Sequence, residues 1–142
     1  MNGNARLEMR FQVNGNDFIQ AGEASSKIKR TLQQIGIDSR VIRRVVISSY
    51  EAEMNITIHA YRGEILFTIW PNLIQIVAQD EGPGISDLEA AMQEGYSTAP
   101  ENVRQMGFGA GRGLPNMKKN TDEMQIETEE GRGTRITMKI YL

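Results

Sequence analysis

Leu73-Ile74-Gln75-Ile76-Val77-Ala78-Gln79-Asp80-Glu81-Gly82-Pro83-Gly84-Ile85 is the stretch whose reading decides the fold. Its first half is an apolar run of the kind that forms a buried strand. Its second half is a carboxylate followed by two glycines one residue apart. A strand that ends this way delivers an acidic acceptor into a cleft and then lets the backbone bend around a ligand. An ordinary turn between two elements has the same composition, so the neighbours carry the argument. Upstream, Glu51 and Asn55 stand at helical spacing. Downstream, Gly107-Phe108-Gly109-Ala110-Gly111-Arg112-Gly113 leads directly into another helical pattern.

Working outward, Gly63 turns the chain into a second apolar run from Glu64 to Trp70, and Pro71-Asn72 is a tight connection, so the two runs are expected to pair as a hairpin. Residues 6 to 13 alternate polar and apolar, which predicts a strand with one face on the core. From Asp17 the positions Phe18, Ala21, Ile28, Leu32 and Ile35 recur near helical spacing, which predicts a first long helix capped by Asp17 and ended by Gly36. Asp38 or Ser39 caps a second helix running to about Ala60, with Val41, Val45, Ser49, Ala52 and Ile56 on one buried arc. Ser86 to Met92 reads as a short helix with a serine cap.

Residues 95 to 112 are rich in Gly, Ser, Thr, Pro and Asn, show no apolar period, and are long for a connection; such loops are functional lids or disordered. Pro115 suits the first turn of a helix from Leu114 to about Asn120. Met124 to Thr128 and Thr134 to Leu142 read as two strands joined by Glu130-Gly131-Arg132-Gly133. This order lacks the strict alternation of a doubly wound sheet. The expected fold class is α+β: a two-layer α/β sandwich with a mixed, mainly antiparallel sheet covered on one face by helices.

The totals suit one domain spanning residues 1–142. A chain 39% hydrophobic and 24% charged is globular in composition, and a formal charge of −2 argues against non-specific nucleic-acid binding. Arg40, Arg43 and Arg44 are the one basic cluster before the C-terminal third, read as a solvated helix face. There is no cysteine, which excludes disulfides, thiolate nucleophiles and zinc-cysteine sites. No apolar run approaches the roughly 18 residues of a membrane span. The start, Met1-Asn2-Gly3-Asn4, lacks the apolar core of a signal peptide. The expectation is a cytoplasmic protein without membrane or nucleic-acid partners.

Glu51 and Asn55, four apart, lie about 40° apart around a helix axis, beside the buried arc. A carboxylate and a carboxamide oxygen together suit Mg²⁺, or the carboxylate takes a proton from an attacking hydroxyl; an exposed Glu and a helix-interior Asn is the bland alternative. Asp80 can accept from the exocyclic amine of adenine while Gly82 and Gly84 let the base approach the backbone. The glycine run at 107 to 113 leaves N–H groups unobstructed, and the following helix aims its positive end there: either a phosphate cradle, to which Arg112, Lys118 and Lys119 add charge, or a flexible hinge. It matches neither the P-loop nor a dinucleotide fingerprint. His59, the one histidine, falls near the site edge in a packed or capping role.

Together these residues resemble the GHKL ATP-binding superfamily, the Bergerat fold, and within it the anti-sigma-factor and switch-kinase group of bacterial serine/threonine protein kinases. Glu51-Ala52-Glu53-Met54-Asn55 with Ile56-Thr57-Ile58-His59-Ala60 is similar to the family's N box. Asp80 to Gly84 is similar to its first glycine box, Gly107 to Leu114 to its lid and second glycine box, and Gly131 to Thr134 to its last. Gly95-Tyr96-Ser97-Thr98 is similar to the switch kinases in particular, whereas the insert from Ala99 to Met106 is longer and more charged than the family's pattern.

The resemblance implies a single ATP-binding kinase domain in which Glu51 is the general base, Asn55 binds Mg²⁺, Asp80 reads adenine and Thr134 supports that contact. Gly82, Gly84, Gly107, Gly109, Gly111, Arg112, Gly113 and Leu114 then shape the ATP/ADP pocket and phosphate site. The implied partners are a small protein substrate resembling a STAS-domain antagonist, with a sigma factor, a phosphatase and a homodimer as further candidates. Two other functions compete: a nucleotide-gated binding module without turnover, which has no need of a base at Glu51, and a histidine-kinase-like ATPase domain.

Overall fold

Residue alternation along the strands positions everything else in the computed structural model, which describes Ala5, residues 7–93 and residues 113–142. The elements run β1 (Leu7–Asn14), α1 (Glu23–Gln34), α2 (Ser39–His59), β2 (Arg62–Trp70), β3 (Leu73–Glu81), α3 (Leu88–Ala91), α4 (Gly113–Asn120), β4 (Glu123–Glu129) and β5 (Gly133–Tyr141). The five strands form one sheet in the order β1-β2-β3-β5-β4. A mixed sheet was expected; every pairing among the described strands is antiparallel, because the two hairpins and the helical return from β1 to β2 all reverse the chain between neighbours.

Register assembles the core in rows. Met9, Phe67, Ile76, Met138 and Met124 lie side by side across the sheet, and Phe11, Ile65, Ala78, Ile136 and Ile126 form the next row. Ile28 and Leu32 of α1, Val45, Ala52 and Ile56 of α2, and Leu114 and Met117 of α4 close over these rows. Burial of large side chains on this scale is the main stabilising term, at roughly 1.5–3 kcal/mol for each fully buried Leu, Ile or Phe. On the opposite face the row Gln12, Glu64, Gln79, Arg135 and Glu127 is polar, although Leu66, Val77, Trp70 and Leu73 stand on other rows of that face. The helices therefore cover one face, as expected.

α2 is the longest helix and lies in the middle of the helical layer, in contact with α1, α4 and four strands. Asp38 caps it, accepting from Arg40 N at 2.8 Å. Its buried arc includes Ile42, Val45, Ser49, Ala52 and Ile56, with Val41 only half-buried.

Two helix starts differ from the sequence expectation. α1 begins at Glu23, not near Asp17. Asn16 has a positive φ of 61°, and the Asp17 carboxylate accepts from Gln20 N at 3.3 Å, which closes a local turn instead of starting a helix. Of the expected stripe, Ile28 and Leu32 are fully buried, whereas Phe18 and Ala21 are only half-buried and Ile35 is 53% exposed. α3 is capped by Asp87, which accepts from Ala90 N at 3.0 Å, rather than by Ser86. No helix among the described residues is long and apolar enough to cross a membrane.

Candidate nucleotide site

Inward positions of β3 recur every second residue: Ile74, Ile76 and Ala78 belong to the core, and Asp80 is the next in the series. A carboxylate thus stands where the apolar face runs out. Its neighbour on β2 is Gly63, where a Cβ would lie 3.0 Å from Asp80 Cβ and 3.1 Å from Ile56 Cδ1. The missing side chain lets the N-box turn of α2, which carries Asn55 beside Ile56, come down next to Asp80.

Asp80 Oδ1 accepts from Thr134 N at 3.1 Å. Burial pushes the Asp80 carboxyl above the ordinary carboxylate range, and the Thr134 N–H pulls part of the way back. Gly133, immediately before, has a φ of 155°, and a Cβ there would fall 2.0 Å from the Asp80 carbonyl oxygen. Only glycine allows β5 to start against Asp80. The network continues through side chains: Thr134 and Thr128 share a hydrogen bond at 3.0 Å, and Thr128 Oγ1 accepts from Ile85 N at 2.9 Å. Ile85 ends the glycine turn, so Thr128 ties that turn to the residue supporting Asp80.

Gly82 and Gly84 have a packing reason of their own. A Cβ on Gly82 would lie 2.9 Å from Ala60 Cα, and one on Gly84 would lie 2.5 Å from the Glu129 carbonyl oxygen at a φ of 75°. Protein backbone lies against both positions. Gly82 N donates to the Arg132 carbonyl and Gly131 N to the Pro83 carbonyl, each at 2.9 Å. The turn is held between the end of α2 and the β4–β5 connection.

On α2, Glu51 and Asn55 are both half-buried on the side away from α1. Glu51 Oε2 accepts from Asn116 Nδ2 of α4 at 3.2 Å, and a Cβ on Gly113 would lie 3.6 Å from the same oxygen. The start of α4 therefore sits against the carboxylate. Glu53, between them in sequence, faces the other way and is 3% exposed. Its Oε2 accepts from Gly22 N at 3.0 Å and Ala24 N at 3.1 Å, and its Oε1 accepts from Ser25 N at 3.1 Å. Those are N–H groups at the start of α1 that have no partner within the helix, and Gly22 has no side chain to cap them. A remote carboxylate replaces the local cap.

Leu114 was assigned to the pocket by resemblance; its side chain is 7% exposed in the core, which leaves only its backbone for a ligand. Lys118 and Lys119 are exposed in the last turn of α4, away from Gly113. His59 is half-buried at the end of α2, and burial lowers it below the usual imidazole range, so it is neutral at pH 7. Gly107, Gly109, Gly111 and Arg112, with the stretches 95–98 and 99–106, lie outside the described residues. Beyond Thr128, the inner face of β4 borders a groove of 390 Å³ between α3 and α4, which is why Met124 and Ile126 stay half-buried.

Sequence reading missed Gly63, Gly133, Glu53, Thr128 and Asn116. Gly133 was in view as part of the last glycine box, but a close approach across strands has no local signature. The other four are ordinary residues whose partners stand far away in the chain.

Among the described residues no group of three or more His, Asp or Glu could hold a metal. A divalent cation here would need ligand oxygens from a nucleotide, which is how Mg²⁺ is held in phosphoryl-transfer sites. The pieces suited to such a ligand are the desolvated carboxylate at Asp80 and the Glu51–Asn55 side of α2.

The family model described as histidine kinase-like ATPase domain matches residues 16–140. The chain is 39% identical over 97 residues to the anti-sigma F factor of Caldanaerobacter subterraneus subsp. tengcongensis, a match covering 65% of this chain and 64% of that protein's length. It is 29% identical over 112 residues to the serine/threonine-protein kinase RsbT of Bacillus subtilis, covering 76% of this chain and 78% of the kinase. Against the anti-sigma F factor of Clostridium acetobutylicum it is 29% identical over 143 residues, covering 94% and 92%.

Proposed function

Because the chain belongs to the histidine kinase-like ATPase domain family, we propose that it is an ATP- and Mg²⁺-dependent protein serine/threonine kinase of the anti-sigma-factor and switch-kinase type. The observation that carries the reading is the Asp80 carboxyl, desolvated at the edge of the core and steadied by Thr134 N–H, beside the turn of α2 that bears Asn55. A half-buried acceptor of this kind matches the exocyclic amine of adenine and repels the carbonyl oxygen that guanine presents at the equivalent ring position. Likeness to proteins named anti-sigma F factor and serine/threonine-protein kinase supports the reaction class.

In this reading Asn55 offers its carboxamide oxygen to the Mg²⁺ that accompanies the triphosphate. Glu51 takes the proton from the attacking hydroxyl. Bound Mg·ATP supplies a charge-neutralised γ-phosphoryl group, and the residues contribute position and a proton acceptor. The acceptor is a serine or threonine hydroxyl on a separate small protein of the STAS-antagonist kind, and partner switching is the regulatory setting. His59, the chain's one histidine, lies at the end of the helix carrying Asn55, an unsuitable place from which to receive a phosphoryl group in line.

Glu51→Gln keeps shape and removes the proton acceptor. Nucleotide affinity by calorimetry should hold, while phosphoryl transfer falls by about 10²- to 10⁴-fold. The partner comes from pull-downs with and without ATP. Acid-stable label on its serine or threonine is expected; label lost in mild acid, or transfer by Glu51→Gln at the parental rate, refutes the kinase reading.

A further inference from the structure

We infer that Asn116 is a positioning residue for the Glu51 carboxylate, holding one of its oxygens from α4 so that the other remains available to accept a proton; this rests on the reading of Glu51 as proton acceptor. Asn116 Nδ2 lies 3.2 Å from Glu51 Oε2, across 65 residues of sequence. An ionised carboxylate only accepts, so the amide nitrogen is the atom that faces it. Asparagine is a poor choice for a short helix on propensity alone, and the contact gives the position a reason.

The helix that carries the donor is itself tied down, through main-chain carbonyls. The Asn116 carbonyl accepts from Asn120 Nδ2 at 2.8 Å, and the Asn120 carbonyl accepts from Arg44 Nε at 3.1 Å. Arg44 also pairs with Asp122 at 3.0 Å. Arg44 and Glu51 lie about two turns apart on α2, and Asn120 and Asn116 about one turn apart on α4, in opposite order. Two polar ties at different levels set both the height and the rotation of α4 against α2. Met117, fully buried between them, fills the interface. A glutamate side chain left to itself samples several rotamers; held by Asn116 beside Gly113 it is restricted to one. Restriction of a reacting group to a productive geometry is worth large factors in rate.

The contact can be read without nucleotide. In the full chain, the Asn116 side-chain amide resonances, assigned by their loss in Asn116→Ser, should shift when Glu51→Ala removes the acceptor. Amide resonances indifferent to that change overturn the inference. Turnover is then measured as hydrolysis of Mg·ATP with water as acceptor. Asn116→Asp keeps the size and places a second carboxylate against the first. Its kcat should fall about 10- to 100-fold with the KM for ATP within about 2-fold, and the acid limb of its kcat profile should move to higher pH. Asn116→Ser, which keeps a shorter donor, should show the rate loss without the displaced limb. A merely structural role would move neither the limb nor the kcat-to-KM split, so parental behaviour of Asn116→Asp overturns the inference. If Glu51→Gln turns over at the parental rate while the amide coupling persists, the proton-acceptor reading fails and takes the positioning role with it. If Glu51→Gln is slow and Asn116→Asp is not, only the positioning role fails.

Discussion

Asp80→Asn should push stability and ligand affinity in opposite directions. The carboxamide oxygen can still accept from Thr134 N, so the 3.1 Å bond survives the change. What disappears is the cost of keeping a charge at a desolvated position. Because burial raises the folded-state carboxyl above its ordinary value, the folded protein holds the proton more tightly than the unfolded chain does. Stability therefore falls as pH climbs from the ordinary carboxylate value through the raised one, and the full penalty stands at pH 7. Asn removes that penalty. Melting at pH 7 should show an equal or higher Tm for the variant, and the gap should close in acid. For nucleotide, the amide presents a donor where the adenine amine needs an acceptor. A hydrogen bond to a charged group contributes about 1.5–3 kcal/mol, so the Kd for ADP should rise roughly 10- to 150-fold. Calorimetry with ADP and GDP on parent and variant measures it. Parental affinity in Asp80→Asn, equal affinity of the parent for GDP, or a lower Tm at pH 7 would each refute the reasoning.

Glu53→Ala strips three acceptor contacts from buried or half-buried N–H groups at the start of α1 and should cost about 2–4 kcal/mol, seen as a lower urea midpoint. The residual fold should still bind ADP, since Glu53 faces away from Asn55. Thr128→Val keeps the volume but leaves Ile85 N and Thr134 Oγ1 without their shared partner; a loss of about 1–2 kcal/mol and a weaker ADP affinity are expected, and an unchanged urea midpoint would count against the network. Gly84→Ala meets the Glu129 carbonyl at 2.5 Å with a positive φ, so a Tm drop is expected without any change to a ligand-facing atom.

The strands were legible because each is a short apolar or alternating run closed by Gly, Pro or Asn, and a half-buried sheet permits little else. The same alternation carries Asp80 onto the core face once Ile74, Ile76 and Ala78 are placed. The start of α1 was not legible. Its cap comes from Glu53, about thirty positions away, while Asp17 carries the local signature of a cap and closes a turn instead. Gly82 and Gly84 were read as room for a base, and the close packing of Ala60 and Glu129 against them was not legible because those partners are remote in the chain. Thr128 and Asn116 gave no signal, because a threonine on a strand and an asparagine on a helix take their meaning from register and from the facing helix.

Glu51 and Glu53 bring the point to one helix. Two residues apart, they differ by about 200° around the axis, so one looks toward α4 and the other toward α1. Thr57 extends the second side: its carbonyl accepts from Asn16 N at 2.7 Å, and its hydroxyl donates to the Glu53 carbonyl at 3.0 Å. That flank of α2 is stapled to the β1–α1 connection by buried, satisfied bonds, which are costly to open. The other flank, with Glu51 and Asn55, packs on α4 around the buried Met117 and is tied to that side by the Glu51–Asn116 contact, the Arg44–Asn120 bond and the Arg44–Asp122 pair. A helix held on both flanks keeps its two carboxylates apart: Glu53 is taken up by the N–H groups at the start of α1, and Glu51 meets α4.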